Sequence, residues 1–167
     1  VASCALRRAL STYVDASSLA QKWPNDVLLN GGKVAGILLE SSGSGFSVDR
    51  LTIGIGVNLG HAPADVPDAS FAPVGLADVI HQTVPAEAFL EVLAAEFADV
   101  EHKLSTAGFG GIRAEWTDHA ARLGEVITAR TSKEVHTGSF EGLDETGNLI
   151  LLTPGGKRVI PAADVYF

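Results

Sequence analysis

The stretch QKWPNDVLLNGGKVAGILLE, from Gln21 to Glu40, decides how the first half of the chain folds. Its apolar runs are halted by Pro24 and turned by an Asn-Gly-Gly sequence that begins at Asn30. Proline typically ends a strand, and Asn-Gly is typical of a tight hairpin. These signals predict three short strands, at residues 20–23, 27–29 and 33–40.

Two lysines stand out in this stretch. Lys22 and Lys33 are the only lysines before Lys103, and both lie beside predicted strands. Burying an ammonium group costs on the order of several kcal/mol unless an anion meets it. The stretch therefore predicts that an anion lies against Lys22.

The pattern of apolar residues changes near Ala121, from helical periodicity to short β-runs. Before it, apolar periodicity predicts a first helix, a long helix from about Pro85 and a shorter helix around Trp116, with a strand at 46–57. After Gly124 the sequence consists of short β-runs with the turns DETGN and TPGGK, which predicts a small barrel. We therefore expect two domains, residues 1–121 and 122–167.

Composition excludes several classes of protein. The 167 residues are 46% hydrophobic and 19% charged, without an apolar run long enough to span a membrane. The net charge of −8 argues against nucleic-acid binding, so we expect no DNA partner. A lone Cys4 indicates no disulfide and predicts a reducing, cytoplasmic location. The five histidines do not fall at metal-ligand spacing, so no protein metal site is expected.

Glycines interrupt two of the predicted strands. Gly36 lies within KVAGILLE, and Gly54 and Gly56 lie within TIGIGVN. The second pattern is not a dinucleotide loop, because its spacing differs and a proline-rich loop follows it instead of a helix. Two explanations stay open: the missing side chains let a flat ligand lie against the backbone, or they relieve packing between strands. With the lysines, the first explanation describes a pocket with an apolar floor and a cationic edge.

KWPND, followed by GKVAGILLE and then GIGVN, resembles the catalytic-domain signature of biotin protein ligases. Further on, EWTDHAARLGEVITA resembles the segment that joins the two domains of that family. The sequence TGSFEGLDETGNLILLTPGGKRVIPAADV resembles their C-terminal barrel. The resemblance implies an α/β (α+β) fold: a class II aminoacyl-tRNA-synthetase-like mixed sheet with flanking helices, followed by a small SH3-like β-barrel.

The activity implied by this resemblance has two steps. Biotin is joined to ATP to give biotinyl-5′-AMP and pyrophosphate, and the biotinyl group then passes to a lysine of a carrier domain. ATP and biotin are thus the implied substrates, with Mg²⁺, and the implied partner is the biotin carboxyl carrier domain of a carboxylase. A homodimer is a further expectation.

The resemblance also assigns roles to individual residues. The catalytic residue is Lys22, whose ammonium group meets the biotin carboxylate and the α-phosphate. Biotin contacts are assigned to Lys22, Gly36, Ile37 and Leu38. Nucleotide contacts are assigned to Asn25, Asp26, Lys33 and Asn58, of which Asn58 reads the adenine edge. Alternatives stay open for three of these: Asn25 and Asp26 hold the turn instead, and Lys33 stays solvated.

The sequence departs from the family pattern before its first strand. The Gly/Arg-rich loop that closes over the adenylate belongs upstream of Val1, so we expect no detectable biotinyl-adenylate from these 167 residues alone. These residues carry no helix-turn-helix pattern, so the repressor function of some family members is not predicted from them. The alternatives are a non-catalytic ligase-like protein that binds a ligand or partner, and a lipoate-type acyltransferase.

Overall fold

The computed structural model describes residues 1–44, 47–63 and 71–167. Its helices are α1 (Ala2–Leu10), α2 (Leu76–Ile80), α3 (Ala86–Ala107) and α4 (Phe109–Asp118), with a short 3₁₀ helix at Ala16–Ser18. Its strands are β1 (Leu19–Lys22), β2 (Asp26–Leu29), β3 (Gly32–Ser42), β4 (Arg50–Val57), β5 (Val126–Arg130), β6 (Val135–Leu143), β7 (Leu149–Thr153), β8 (Gly156–Ile160) and β9 (Asp164–Tyr166).

The first sheet has the strand order β1-β2-β3-β4, and every neighbouring pair is antiparallel. Short turns join β1 to β2 and β2 to β3, and strands joined this closely can only run antiparallel. Asn30 and Gly31 have φ values of 50° and 81°, as the tight turn requires. The expectation of a mixed sheet is therefore wrong for the described strands, whose parallel pairing is confined to isolated bridges outside the ladder.

Strand positions in the first half are confirmed with small shifts. The three strands around the KWPND turn lie within two residues of their predicted ends. The fourth begins at Arg50, later than predicted, and Phe46 is outside the described residues. Helix α2 was not predicted, because five residues are too few to show a helical period.

Helix α1 packs against β1 and β2 of the first sheet, and α3 packs on the other side of α1, both through buried apolar side chains. Leu6 and Leu10 of α1 are fully buried, and Phe89, Leu93 and Val100 form the buried stripe of α3. Each fully buried leucine contributes about 2 kcal/mol through the hydrophobic effect. The predicted amphipathic helices are thus confirmed. Within the described ranges, no helix combines the length and apolar character needed to cross a membrane.

Charged side chains connect helices α1, α3 and α4. Arg8 of α1 donates to Glu115 Oε1 of α4 at 2.6 Å and to Asp99 Oδ2 of α3 at 2.6 Å. The hydrogen bond from Arg8 holds the pKa of the Glu115 carboxyl below its usual value. This network fixes α4, which leads into the second sheet.

The second sheet has the order β8-β7-β6-β5-β9 and is also antiparallel. Two of its contacts with the first part of the molecule are made by tryptophan side chains. The Trp116 ring of α4 meets Phe140 of β6 edge-on, with centroids 6.5 Å apart. The buried Trp23, in the turn after β1, donates its indole N–H to the carbonyl of Gly147 at 3.1 Å.

The segment after α4 also runs beside the first sheet. Gln21 of β1 accepts from the N–H of Ala121 and donates to the carbonyl of His119, both at 2.8 Å. These bonds place the start of the second sheet against the strand that carries Lys22. The two sheets therefore meet around the KWPND turn.

Candidate functional site

A cavity of about 500 Å³ opens where the two sheets meet. Its walls come from segments far apart in the sequence: the KWPND turn, the start of β3, the connection after β4, and β9. The lining residues are Lys22, Pro24, Asn25, Asp26, Lys33, Asn58, Pro63, Phe71, Pro73, Asp164 and Val165.

Lys22 lies at the base of this cavity, with a side chain only 7% exposed. Its Nζ is 3.2 Å from Oδ2 of Asp26, which is almost as deeply buried. On the other side, Lys33 Nζ lies 2.7 Å from Oδ1 of Asp26, although its direction is poor for a hydrogen bond. One carboxylate thus faces two ammonium groups, leaving a net positive charge at the base of the cavity.

The structure places a protein carboxylate, Asp26, against Lys22, where the resemblance implied the carboxylate of biotin and the α-phosphate. The sequence contained a signal for this pairing, because residues on either side of a tight turn face each other in register. Lys22 and Asp26 are such a pair in the β1–β2 ladder. Lys33 is 44% exposed, so it keeps contact with water and with the cavity.

Asn25 and Asn58 both line the cavity, yet their amide nitrogens are already bonded to backbone. Asn25 Nδ2 donates to the Ile37 carbonyl at 2.7 Å, and the Ile37 N–H donates back to the Asn25 carbonyl at 2.9 Å. Asn58 Nδ2 lies 3.2 Å from the carbonyl of Val74 and 3.4 Å from that of Lys33. Both asparagines therefore join separate segments of backbone, and the bond from Asn25 connects the KWPND turn to β3.

Phe71 is a cavity residue that sequence reasoning missed. Its ring centroid lies 4.9 Å from Lys22 Nζ, which is within range of a cation–π contact. The residues after Phe71 run beside β3. There the backbone N–H of Lys33 donates to the carbonyl of Ala72 at 2.9 Å, and the backbone carbonyl of Lys33 accepts from the N–H of Val74 at 3.0 Å. This long-range pairing leaves no local pattern in a proline-rich loop, so the sequence carried no signal for it.

An open glycine face of β3 and β4 adjoins the cavity. Gly36 pairs with Gly56, and Leu38 pairs with Gly54, so all four lie on one side of the sheet. Leu38 is 63% exposed. A Cβ atom at Gly36 would approach the Lys33 side chain at 3.2 Å, which shows that this face leads to the Lys22–Asp26–Lys33 cluster.

Nothing in the fold requires glycine at two of these positions. A Cβ atom at Gly54 or Gly56 would meet its nearest neighbours at 3.7 Å and 3.9 Å respectively, which are ordinary contacts. Neither residue has a positive φ. Relief of packing between the described strands therefore does not explain glycine at Gly54 and Gly56.

Ile37 does not share this face. Strand alternation directs its side chain to the opposite side of the sheet, where it is 7% exposed. Its N–H and carbonyl are both bonded to Asn25. Of the residues assigned to biotin, the structure therefore brings together Lys22, Gly36 and Leu38 along one surface, and it separates Ile37 from them.

Two family models match the chain. The model of the Biotin/lipoate A/B protein ligase family matches residues 1–58, and that of the Biotin protein ligase C terminal domain matches residues 123–167. The first match includes the KWPND turn and the glycine face, and the second includes all of the second sheet.

Known proteins resemble the chain in sequence and in fold. It is 52% identical to the biotin–[acetyl-CoA-carboxylase] ligase of Paracoccus denitrificans, an alignment that covers 100% of this chain and 71% of that protein. It is 32% identical to the bifunctional ligase/repressor BirA of Bacillus subtilis, over 86% of this chain and 45% of BirA.

Among solved structures, a biotin protein ligase variant from Aquifex aeolicus in complex with biotin superposes with a TM-score of 0.83. That structure is 24% identical, and the match covers 99% of this chain and 68% of the other. This superposition confirms that the chain has an α/β fold with two antiparallel sheets. Taken with the 52% identity across the whole chain, the resemblance first met in KWPND is confirmed: this chain belongs to the biotin protein ligase family.

Proposed function

We propose that this chain carries the biotin-activating site of an ATP-dependent biotin protein ligase. The observation that carries the proposal is the open glycine face that ends at a buried ammonium group. The face between Gly36 and Gly56 lets a flat ring lie on the backbone, and Leu38 offers apolar contact beside it. A carboxylate on a short chain attached to that ring would extend toward Lys22.

In the proposed reaction, a carboxylate oxygen of biotin attacks the α-phosphorus of ATP, and pyrophosphate leaves. Negative charge on the transferring phosphoryl group then lies next to Lys22. A fixed ammonium group stabilises such charge more than water does, because its surroundings need no reorganisation. A lysine amine of the carrier domain next attacks the carbonyl carbon of the adenylate, and AMP leaves.

The nucleotide would enter the cavity beside Asn58, with its phosphates near Lys22 and Lys33. Asp26 keeps the two ammonium groups in place and lowers their combined charge. Among the residues that the structure describes, no three acidic, histidine or cysteine side chains are grouped to hold a metal ion. This fits Mg²⁺, which typically binds through substrate phosphates and waters with one or two carboxylates. Mg²⁺ would therefore arrive with ATP, with Asp26 or Asp164 as its protein neighbours.

The finer features of the fold belong to the same proposal. We infer that residues 1–121 are a class II synthetase-like catalytic portion and that residues 122–167 are an SH3-like domain. The five short strands after Ala121 and the family match over residues 123–167 support this division. The proposed partner is a biotin carboxyl carrier domain in the cytoplasm, and a homodimer is a further proposal.

Lys22→Ala tests the site. A non-hydrolysable biotinyl-adenylate analogue is titrated calorimetrically into the parent chain, Lys22→Ala and the control Lys103→Ala. Lys103 is exposed and pairs with Asp99, away from the cavity. We expect Lys22→Ala to weaken binding by about 3 kcal/mol, as removal of a preorganised charge does, and Lys103→Ala to change nothing. Equal binding by all three proteins would refute the assignment.

Turnover is measured separately with radiolabelled ATP, biotin and Mg²⁺, with the products resolved by thin-layer chromatography. Replacing biotin with lipoate distinguishes the lipoate-type alternative, for which adenylate would form with lipoate alone. A version of the protein that also carries the Gly/Arg-rich loop expected upstream, binds the analogue through Lys22 and still forms no adenylate would favour the non-catalytic alternative.

A further inference from the structure

Two aromatic rings connect Lys22 to the end of the second sheet. The Phe71 ring lies over Lys22 Nζ at 4.9 Å. Its other neighbour is Phe167, the residue after β9, whose ring meets it edge-on at a centroid distance of 4.8 Å. Phe71 lines the cavity, whereas Phe167 does not.

Phe167 is itself fixed from the far side. The guanidinium carbon of Arg122 lies 5.1 Å from the centroid of its ring. Arg122 belongs to the segment that joins α4 to β5, and it pairs with Glu125 Oε2 at 2.8 Å. The result is a continuous series of contacts from Arg122 through Phe167 and Phe71 to Lys22, in which each end is a cation.

The surroundings explain why such a support matters at Lys22. The ammonium group is buried, and Asp26, its carboxylate partner, is shared with Lys33. A second contact, with the face of the Phe71 ring, limits where Nζ can move without adding a second anion. The apolar ring also keeps water from that side, which preserves the strength of charge interactions in the cavity.

We propose that Phe71 and Phe167 form an aromatic support through which the second sheet positions the Lys22 ammonium group. Phe167 is then a positioning residue, since it reaches the site only through Phe71. This inference rests on the proposed function for its catalytic meaning, because it concerns the group assigned to biotin activation. The contact itself can be measured without turnover.

The test uses the full chain labelled with ¹³C-lysine, which contains five lysines and therefore a simple spectrum. A ring stacked over Lys22 shifts its ε-methylene signals upfield, and Lys22→Arg identifies them. The variants are Phe71→Leu, Phe167→Ala and the matched control Tyr166→Ala. Tyr166 is the neighbouring aromatic residue and also faces a cation, Arg130, at 5.1 Å.

We expect the upfield shift to vanish in Phe71→Leu, to fall by at least about half in Phe167→Ala and to persist in Tyr166→Ala. In the calorimetric titration, Phe167→Ala should weaken analogue binding by about two- to fivefold, the range of one cation–π contact. A Lys22 signal in Phe167→Ala that matches the Tyr166→Ala control would overturn the inference.

Failure of the proposed function gives a different result. A parent chain that shows the shifted Lys22 signal but neither binds the analogue nor forms adenylate would contradict the assigned activity alone. The spectra of the variants would still decide whether Phe167 positions Lys22.

Discussion

Asp26→Asn is the change that tests the charge arrangement most directly. Asparagine keeps the shape of the side chain but removes the charge that Lys22 faces at 3.2 Å. At that distance, with an effective dielectric constant of about 20, the attraction of one such pair is about 5 kcal/mol. Part of it is offset by the desolvation of both groups. Removing one partner of a buried pair typically costs about 3–5 kcal/mol.

The cavity beside Lys22 admits water, so we expect the lower end of that range. Asp26→Asn should reduce the free energy of unfolding by about 3 kcal/mol. For a chain of this length, such a loss lowers Tm by about 6–12 °C. Lys33→Ala is the matched control, because it removes the half-exposed partner of the same carboxylate. It should change stability by less than about 1 kcal/mol.

Equilibrium urea unfolding of a double-mutant cycle provides the measurement. The single variants are Asp26→Asn and Lys22→Met, and the double variant replaces both charges with uncharged groups of similar length. We expect the double variant to recover at least about 1.5 kcal/mol relative to the sum of the single changes. Additive losses, or an Asp26→Asn variant as stable as the parent, would show that Lys22 does not depend on this carboxylate.

Three further changes test other parts of the molecule. Gly54→Val should leave Tm within a few degrees, because a Cβ atom there meets only ordinary contacts, yet it should abolish binding of the adenylate analogue; retained affinity would mean that no ligand approaches this strand. Trp23→Phe removes the hydrogen bond to Gly147 and part of the buried indole, so urea unfolding should show a loss of at least about 1 kcal/mol, and an unchanged midpoint would contradict a link between the sheets at this point. The pKa of Glu115 is lowered in the folded state by the hydrogen bond from Arg8, so its contribution is present above the unfolded value of about 4.3 and is lost as the pH falls below it. Glu115→Gln should therefore make stability less dependent on pH between about 5 and 3, and identical pH profiles for the two proteins would refute this reasoning.

The sequence predicted those parts of the structure that depend on local chemistry. Pro24 and the Asn-Gly turn placed the first three strands, and apolar periodicity placed α1 and α3. The isolation of Lys22 indicated a group that needs an anion beside it, but it did not indicate that a protein carboxylate, Asp26, takes that place. The glycine pattern predicted a strand surface with few side chains, and the structure has such a surface at Gly36, Gly54 and Gly56.

What the sequence could not supply depends on segments that return from far along the chain. The cation–π contact of Phe71 requires the chain to pass back along Lys33, and the contribution of Asp164 requires the second sheet to reach the KWPND turn. The separation of Ile37 from Gly36 and Leu38 was available from strand alternation. The family resemblance, by contrast, assigned all three consecutive residues to biotin.

The cavity has one wall from the first of the described strands and another from the last of them. Lys22 ends β1, whereas Asp164 and Val165 belong to β9. During synthesis on the ribosome, the first sheet can therefore form long before this wall exists, and the cavity is complete only after β9 has emerged. A ligand that needs both walls stabilises only the finished arrangement, since binding favours the state that holds the complete site. Bound substrate would then slow unfolding of the completely folded chain. It would not affect how the first strands assemble.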